Sequence, residues 1–182
     1  MNMEIGGQNV SLRDLKEGDL DDYRRWFFTE AEWQKWDAPW EKSTEASQGY
    51  IDRLKQRLLS EPAAIRGRFE ICVDNAHIGW VSSYLIGNNA DFLAVGINIT
   101  EAGYWGRGIG REALKKWIKY LFQTRKPEYI YCETWGGNER MIKLALNVGF
   151  EIIERYTKIE TDGKEYNKLK FRISDIYTIN EG

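Results

Sequence analysis

Apolar and polar residues along this chain follow two different periods, and the change of period divides it. Leu20, Tyr23 and Phe27 recur at the spacing of one helix face. Gly18 and Asp19 precede them, so a helix is expected from Asp19, as N-cap, to about Phe28. Tyr50, Ile51, Leu54 and Leu58 repeat the pattern in a second helix, with Thr44 as its cap and Pro62 as its stop. Residues 30–42, between the two, follow neither period and are crowded with tryptophans and acids. A short apolar segment, residues 10–13, comes before both and reads as an edge strand.

After Pro62 the period shortens to two. Residues 68–73, 77–86 and 92–99 read as strands, separated by the turn signals Asp74-Asn75 and Gly87-Asn88-Asn89. Two tight turns in succession predict an antiparallel meander. Four glycines between 103 and 110 then break the pattern. A helix follows from Arg111 to about Gln123, with Leu114, Trp117, Ile118, Leu121 and Phe122 as its apolar stripe. Residues 129–134 are a strand, and 138–147 a helix closed by Gly149 in a C-cap position. Residues 150–159 and 166–173 form a hairpin around Asp162-Gly163. The order predicts an α/β (α+β) fold: a mixed, mostly antiparallel central sheet of about seven strands, flanked by about four helices. No linker or repeat interrupts it, so a single domain over residues 1–182 is expected.

Composition narrows the function classes. The chain has 182 residues, 42% of them hydrophobic and 14% aromatic, enough for a sizeable core. Its net charge is -2, without the basic excess of a nucleic-acid binder. No apolar run approaches the ~20 residues of a membrane span. Residues 1–8 lack the basic and apolar regions of a signal peptide, so a cytoplasmic protein is expected. Cys72, Cys132 and the single histidine, His77, stand apart without metal-site spacing. A zinc site or a Ser-His-Asp triad is therefore not expected, and these three residues read as interior filling.

The chemistry concentrates in residues 92–111. An apolar strand leads into the glycine loop Gly106-Arg107-Gly108-Ile109-Gly110, and the loop into a helix. A helix N-terminus carries unpaired N–H groups and partial positive charge, and glycines let an anion approach that backbone. The combination suits a diphosphate. Arg107 and Arg111 add full charges. A dinucleotide fingerprint needs G-x-G-x-x-G in a parallel unit, and a P-loop needs Gly-Lys-Ser/Thr; both fail here on spacing.

At these residues the chain resembles the GNAT superfamily of acetyltransferases. Trp105-Gly106-Arg107-Gly108-Ile109-Gly110 is similar to the superfamily's Q/R-x-x-G-x-G/A signature, with Trp105 where Gln or Arg is commoner. Tyr104-Trp105-Gly106-Arg107-Gly108 with Glu112-Ala113-Leu114 resembles the subgroup of ribosomal-protein N-terminal and spermidine acetyltransferases. Asn138, Met141, Leu144 and Gly149-Phe150 resemble the family's second block, and Leu12-Arg13 and Trp26 fit the subgroup's start. The resemblance implies an acyl-CoA N-acyltransferase-like fold and acetyl-CoA as co-substrate, with no metal. It places the pyrophosphate on the loop amides of Gly106, Arg107, Gly108, Ile109, Gly110 and Arg111, with Trp105 also at the cofactor. It pairs the pantetheine arm with Ile97 and Ile99, in the manner of an added strand. Asn138 contacts the arm from the other side, or caps its helix, or both.

The implied reaction moves the acetyl group to a primary amine by direct attack, which needs a base to take the amine proton. Glu133 is the leading candidate for that base, with Asn98 and Tyr104 behind it. The family's usual acids on the helix after residues 129–134 fall at Ala145 and Met141, so that role has no evident side chain. This gap leaves open a non-catalytic acetyl-CoA-binding or sensor module, and the loop alone leaves open another phosphate ligand. The resemblance puts the acceptor beside the loop holding Trp33, Trp36 and Trp40 with Glu30, Glu32, Asp37 and Glu41. Aromatic faces and carboxylates suit a cationic amine, although they also suit simple helix packing. A protein N-terminus, a polyamine, an aminoglycoside or an amino-acid-like metabolite all remain open, as does a homodimer; nucleic acid and membrane are not expected partners.

Overall fold

The computed structural model describes residues 2–7, 9–40, 44–89 and 91–174. Among them eight strands form one sheet: β1 (Glu4–Ile5), β2 (Ser11–Arg13), β3 (Arg68–Val73), β4 (Ala76–Leu85), β5 (Leu93–Ile99), β6 (Ile130–Trp135), β7 (Glu151–Ile159) and β8 (Glu165–Ile173). Their order across the sheet is β1-β2-β3-β4-β5-β6-β8-β7. Four α-helices accompany them: α1 (Asp19–Phe28), α2 (Thr44–Leu59), α3 (Ile109–Arg125) and α4 (Glu139–Val148). Only β5 and β6 pair in parallel. The expected mixed sheet is observed, with eight strands where the pattern predicts about seven. The extra strand, β1, is two residues long, too short to show a period. It takes the outer place, so β2 is an interior strand and not the edge.

Side-chain alternation assigns the two faces of the sheet. Phe69 and Ile71 of β3 turn to one face, where α3 and α4 pack with Trp117, Leu121, Ala145 and Val148 in the larger core. Arg68 and Glu70 turn to the other face, where α1 and α2 build a second core from Tyr23, Trp26, Ile51, Leu54 and Trp80. Trp33 belongs to this second core, so it packs against the helices and donates its Nε1–H to the Trp26 carbonyl at 3.1 Å.

Asp19 does not cap α1. Gly18 stands at the cap without a side-chain bond, and the Asp19 carboxylate instead forks the Arg13 guanidinium at 2.7 and 2.8 Å. That bidentate pair ties the helix to β2. The side chain of Thr44 and all of Glu41 lie outside the described residues. His77, Cys72 and Cys132 are interior, as expected. His77 bonds Asp22 at 3.1 Å through Nδ1 and Glu70 at 3.0 Å through Nε2. Glu70 is fully buried, and Arg68 donates to it at 2.9 Å. Burial alone would raise the Glu70 pKa; the adjacent Arg68 charge outweighs it, with His77 adding to the effect, and lowers it to about 2.

Candidate active site

The site begins where two strands part. β5 and β6 are paired only at Ala94 and Tyr131, yet β5 runs on to Ile99 and β6 to Trp135. The Thr100 N–H bonds the Ile78 carbonyl at 2.9 Å. By the alternation of an antiparallel ladder, the backbone groups of Ile97 and Ile99 then face the gap rather than β4. The Ile99 carbonyl is already occupied by the Trp105 indole N–H at 2.7 Å. The Ile97 groups and the Ile99 N–H remain along the open edge.

The glycine loop closes one end of this gap. Gly106 and Gly108 have φ of 75° and 78°, which ordinary residues adopt with strain. Gly108 caps α3, and its carbonyl accepts the Glu112 N–H at 3.1 Å. The N–H groups of Ile109, Gly110 and Arg111 have no carbonyl four residues back within the helix. A Cβ on Gly108 would meet nothing within 4 Å, so the space above this backbone is open to a ligand.

A cavity of about 590 Å³ fills the gap. Of the residues expected at the cofactor, Ile97, Ile99, Trp105, Gly106, Gly108, Ile109, Gly110, Arg111 and Asn138 line it. Arg107 does not; its guanidinium lies 5.8 Å over the Tyr104 ring. Asn138 caps α4, its side-chain oxygen accepting the Met141 N–H at 3.0 Å. Arg140 follows, sandwiched 4.3 Å from the Trp36 ring and 4.1 Å from the Trp105 ring. These contacts tie the first turn of α4 to the segment before α2.

A second cavity of about 360 Å³ adjoins the first and shares Asp37, Ile97, Asn98, Asn138 and Met141 with it. Its floor is the sheet face that α1 and α2 leave uncovered. Cross-strand pairing puts Glu133 and Trp135 of β6, Lys168 of β8 and Tyr156 of β7 on that one face. The segment 36–40 forms a wall, pinned where Trp135 Nε1 donates to the Trp36 carbonyl at 3.1 Å and Thr161 Oγ1 to the Trp40 carbonyl at 3.2 Å. Glu133 is half-buried, and the Tyr156 hydroxyl donates to its Oε1 at 3.2 Å. Burial, then the Glu133 charge, pushes Tyr156 up to about 12. Tyr84, raised for the same two reasons, lines this cavity as well.

The three candidate catalytic residues therefore part company. Asn98 stands where the cavities meet, Glu133 lines the second, and Tyr104 lines only the first. Of the expected acceptor residues, Trp33 and Trp36 line the first cavity, Trp40 the second, and Asp37 both. Glu30 pairs with Arg25 instead, and Glu32 is exposed. Ala145 is fully buried, so α4 offers no group there. Sequence reasoning missed Tyr84, Trp135, Arg140, Tyr156, Lys158 and Lys168. Period-two alternation could have assigned the strand residues to a face, but only with the β6-β8-β7 order known.

An open sheet parted at β5 and β6, with a glycine-capped helix at the gap, leaves an unpaired strand edge beside a backbone suited to a phosphate. Residues 9–151 match the model of an acetyltransferase (GNAT) domain, and the chain belongs to the GNAT acetyltransferase family. Among solved structures it is similar to the ribosomal-protein-S5-alanine acetyltransferase from Vibrio fischeri, with a TM-score of 0.75 at 22% identity, covering 95% of this chain and 97% of the other. A spermidine N-acetyltransferase chimera from Vibrio cholerae gives a TM-score of 0.72 at 18% identity, covering 96% and 100%. The microcin C7 self-immunity acetyltransferase, solved with acetyl-CoA and AMP, gives 0.71 at 16%, covering 93% and 94%. At these identities the likeness establishes the fold.

Proposed function

We propose that residues 1–182 form a single N-acetyltransferase domain that moves the acetyl group of acetyl-CoA directly to a primary amine. The observation that carries this reading is the open β5 edge leading onto the Gly106–Gly110 backbone at the start of α3. Both parts of the donor fit there. The pyrophosphate would rest on the N–H groups of Gly108 to Arg111, with Arg111 at the rim. The pantetheine amides would pair with Ile97 and Ile99, and Asn138 would flank the arm from α4. Bound there, acetyl-CoA supplies an activated acyl group at the junction of the two cavities.

The acceptor enters through the second cavity. Glu133 takes the proton that the amine sheds as its nitrogen bonds the acetyl carbon and the carbon–sulfur bond breaks. Tyr156 holds the Glu133 carboxylate in place through its hydroxyl. An ordinary thiol has a pKa near ~8.5, so the thiolate leaves without a side-chain acid and takes its proton from solvent. That accounts for Met141 and Ala145 at the positions where relatives carry an acid. Asn98 at the junction orients the acetyl carbonyl, and Tyr104 shapes the donor side.

The test is a titration with acetyl-CoA followed by thermal unfolding and calorimetry, on the wild type and on Gly108→Trp. Ligand at about 100 times Kd should stabilise the wild type by about 2.7 kcal/mol. The variant should fold and show no such gain. A well-folded wild type indifferent to acetyl-CoA would overturn the reading. Binding without transfer to any amine would mark a sensor module.

A further inference from the structure

The second cavity carries both signs of charge, and it segregates them. Its carboxylates are Glu133 on β6 and Asp37 on the wall, the latter shared with the first cavity. Its ammonium groups are Lys168 on β8 and Lys158 on β7, the strands farther from β5 in the sheet order. Strand register enforces the separation. Lys168 pairs across from Trp135 and Tyr156, one step diagonal from Glu133, a Cα separation of ~7–8 Å. Lys170, directly opposite Glu133, points its ammonium at the Phe92 and Tyr131 rings, 5.1 and 5.9 Å away, and does not line the cavity.

The basic end is held in place. Lys168 contacts Glu160 at 2.7 Å and lies 3.9 Å over the Trp40 ring, with its side chain only 13% exposed. Lys158 contacts the same Glu160 at 3.2 Å. One carboxylate shared by two ammonium groups leaves a net positive charge. A linear polyamine would press a second ammonium against that charge. A neutral amine would gain nothing from it. An anion there would form charge-assisted hydrogen bonds to Lys168, whose position is already fixed, and to the more exposed Lys158 beside it.

We infer that the acceptor is a primary amine that also bears an anionic group, seated with its amine at Glu133 and its anion at Lys168 and Lys158. The inference rests on the acetyltransferase reading and specifies the ligand of that same site. A short peptide N-terminus with an early acidic residue carries both groups, an amine and an anion on neighbouring residues. A small aminoalkyl phosphate of similar reach presents the same chemistry.

The experiment measures kcat/KM at saturating acetyl-CoA for Gly-Glu, for its uncharged counterpart Gly-Gln amide, for an aminoalkyl phosphate and for spermidine. Calorimetry measures the binding of each separately. The anionic acceptors should exceed the amide by about tenfold, mostly in KM. Lys168→Met should erase that gap and Lys158→Met should narrow it. Lys158 has a side chain 56% exposed, so its variant tests the idea even where Lys168→Met folds poorly. The two anionic arms distinguish a carboxylate from a phosphate as the preferred group. Spermidine or the amide matching the anionic acceptors, or a gap that survives both lysine variants, overturns the inference while leaving the acetyltransferase reading intact. Should no amine be acetylated, that reading falls. Calorimetry then decides the inference alone: it stands where anionic amines bind the wild type and not Lys168→Met, and fails where they do not bind.

Discussion

The Glu133 carboxylate and the Tyr156 hydroxyl sit 3.2 Å apart on neighbouring parts of one sheet face, and their roles separate by substitution. Glu133→Gln keeps the shape and removes the carboxylate proposed as proton acceptor. It should lower kcat by about 10²- to 10⁴-fold, read by steady-state kinetics, with acetyl-CoA affinity retained. Tyr156→Phe should cost less, because the base remains and only its support is lost. A Tyr156→Phe loss as large as that of Glu133→Gln would make the tyrosine a direct participant. Glu70 gives a residue-scale prediction about stability. Removing its charge with Glu70→Gln leaves Arg68 buried beside a neutral partner, and should cost about 3–5 kcal/mol in urea denaturation. Its folded pKa lies below its ordinary value, so its contribution is full above pH 4.5 and is lost as pH falls toward about 2. Wild-type stability should fall through that window, and the Glu70→Gln variant should show a shallower slope there. Glu133 was legible in the sequence as an acid on the strand after the glycine-capped helix. Tyr156 was not, because its distance from Glu133 is set by β8 inserting between β6 and β7.

At the scale of elements, the seam between β4 and β5 depends on one small residue. A Cβ on Gly79 would collide with the carbonyl oxygen of Asn98, within the strand end that borders the donor gap. Gly79→Ala must therefore push β5 away from β4 or tilt its last residues. The substitution should destabilise the fold by about 1–3 kcal/mol, with a lower urea midpoint and an unchanged m-value. It should also weaken acetyl-CoA binding, since Ile97 and Ile99 shift with the strand. A destabilised variant with wild-type acetyl-CoA affinity would detach the β5 edge from donor binding. Most elements were legible because period and punctuation agreed. The α3 stripe, the Asp74-Asn75 turn and the Gly149 cap all stand where the residues imply. The exceptions have a shared cause. Asp19 offers a cap but is drawn to Arg13, and β1 is too short for a pattern, so tertiary partners decide both.

The whole molecule decides the order of events. The two cavities share Ile97, Asn98 and Met141, so in the proposed arrangement a donor in the first would complete the wall that an acceptor would meet in the second. Direct transfer then needs both ligands together. A covalent acetyl-enzyme would need a nucleophile, and the candidates are withheld by position. Cys132 is fully buried, and burial raises its thiol pKa; Cys72 is buried too, and raised for the same reason. The single histidine, which could activate Ser82 in the second cavity, is bonded to Glu70 and Asp22 beneath α1. Initial rates measured at several fixed concentrations of each substrate should therefore give intersecting lines, not the parallel lines of a double displacement. Mass spectrometry of the protein after incubation with acetyl-CoA alone should show no added acetyl group. Donor and acceptor should also raise each other's affinity by one common factor, because binding coupled through a shared wall is reciprocal. Parallel lines with a stoichiometric acetyl adduct would move the chemistry onto a protein side chain and displace Glu133 from its place as base for the amine.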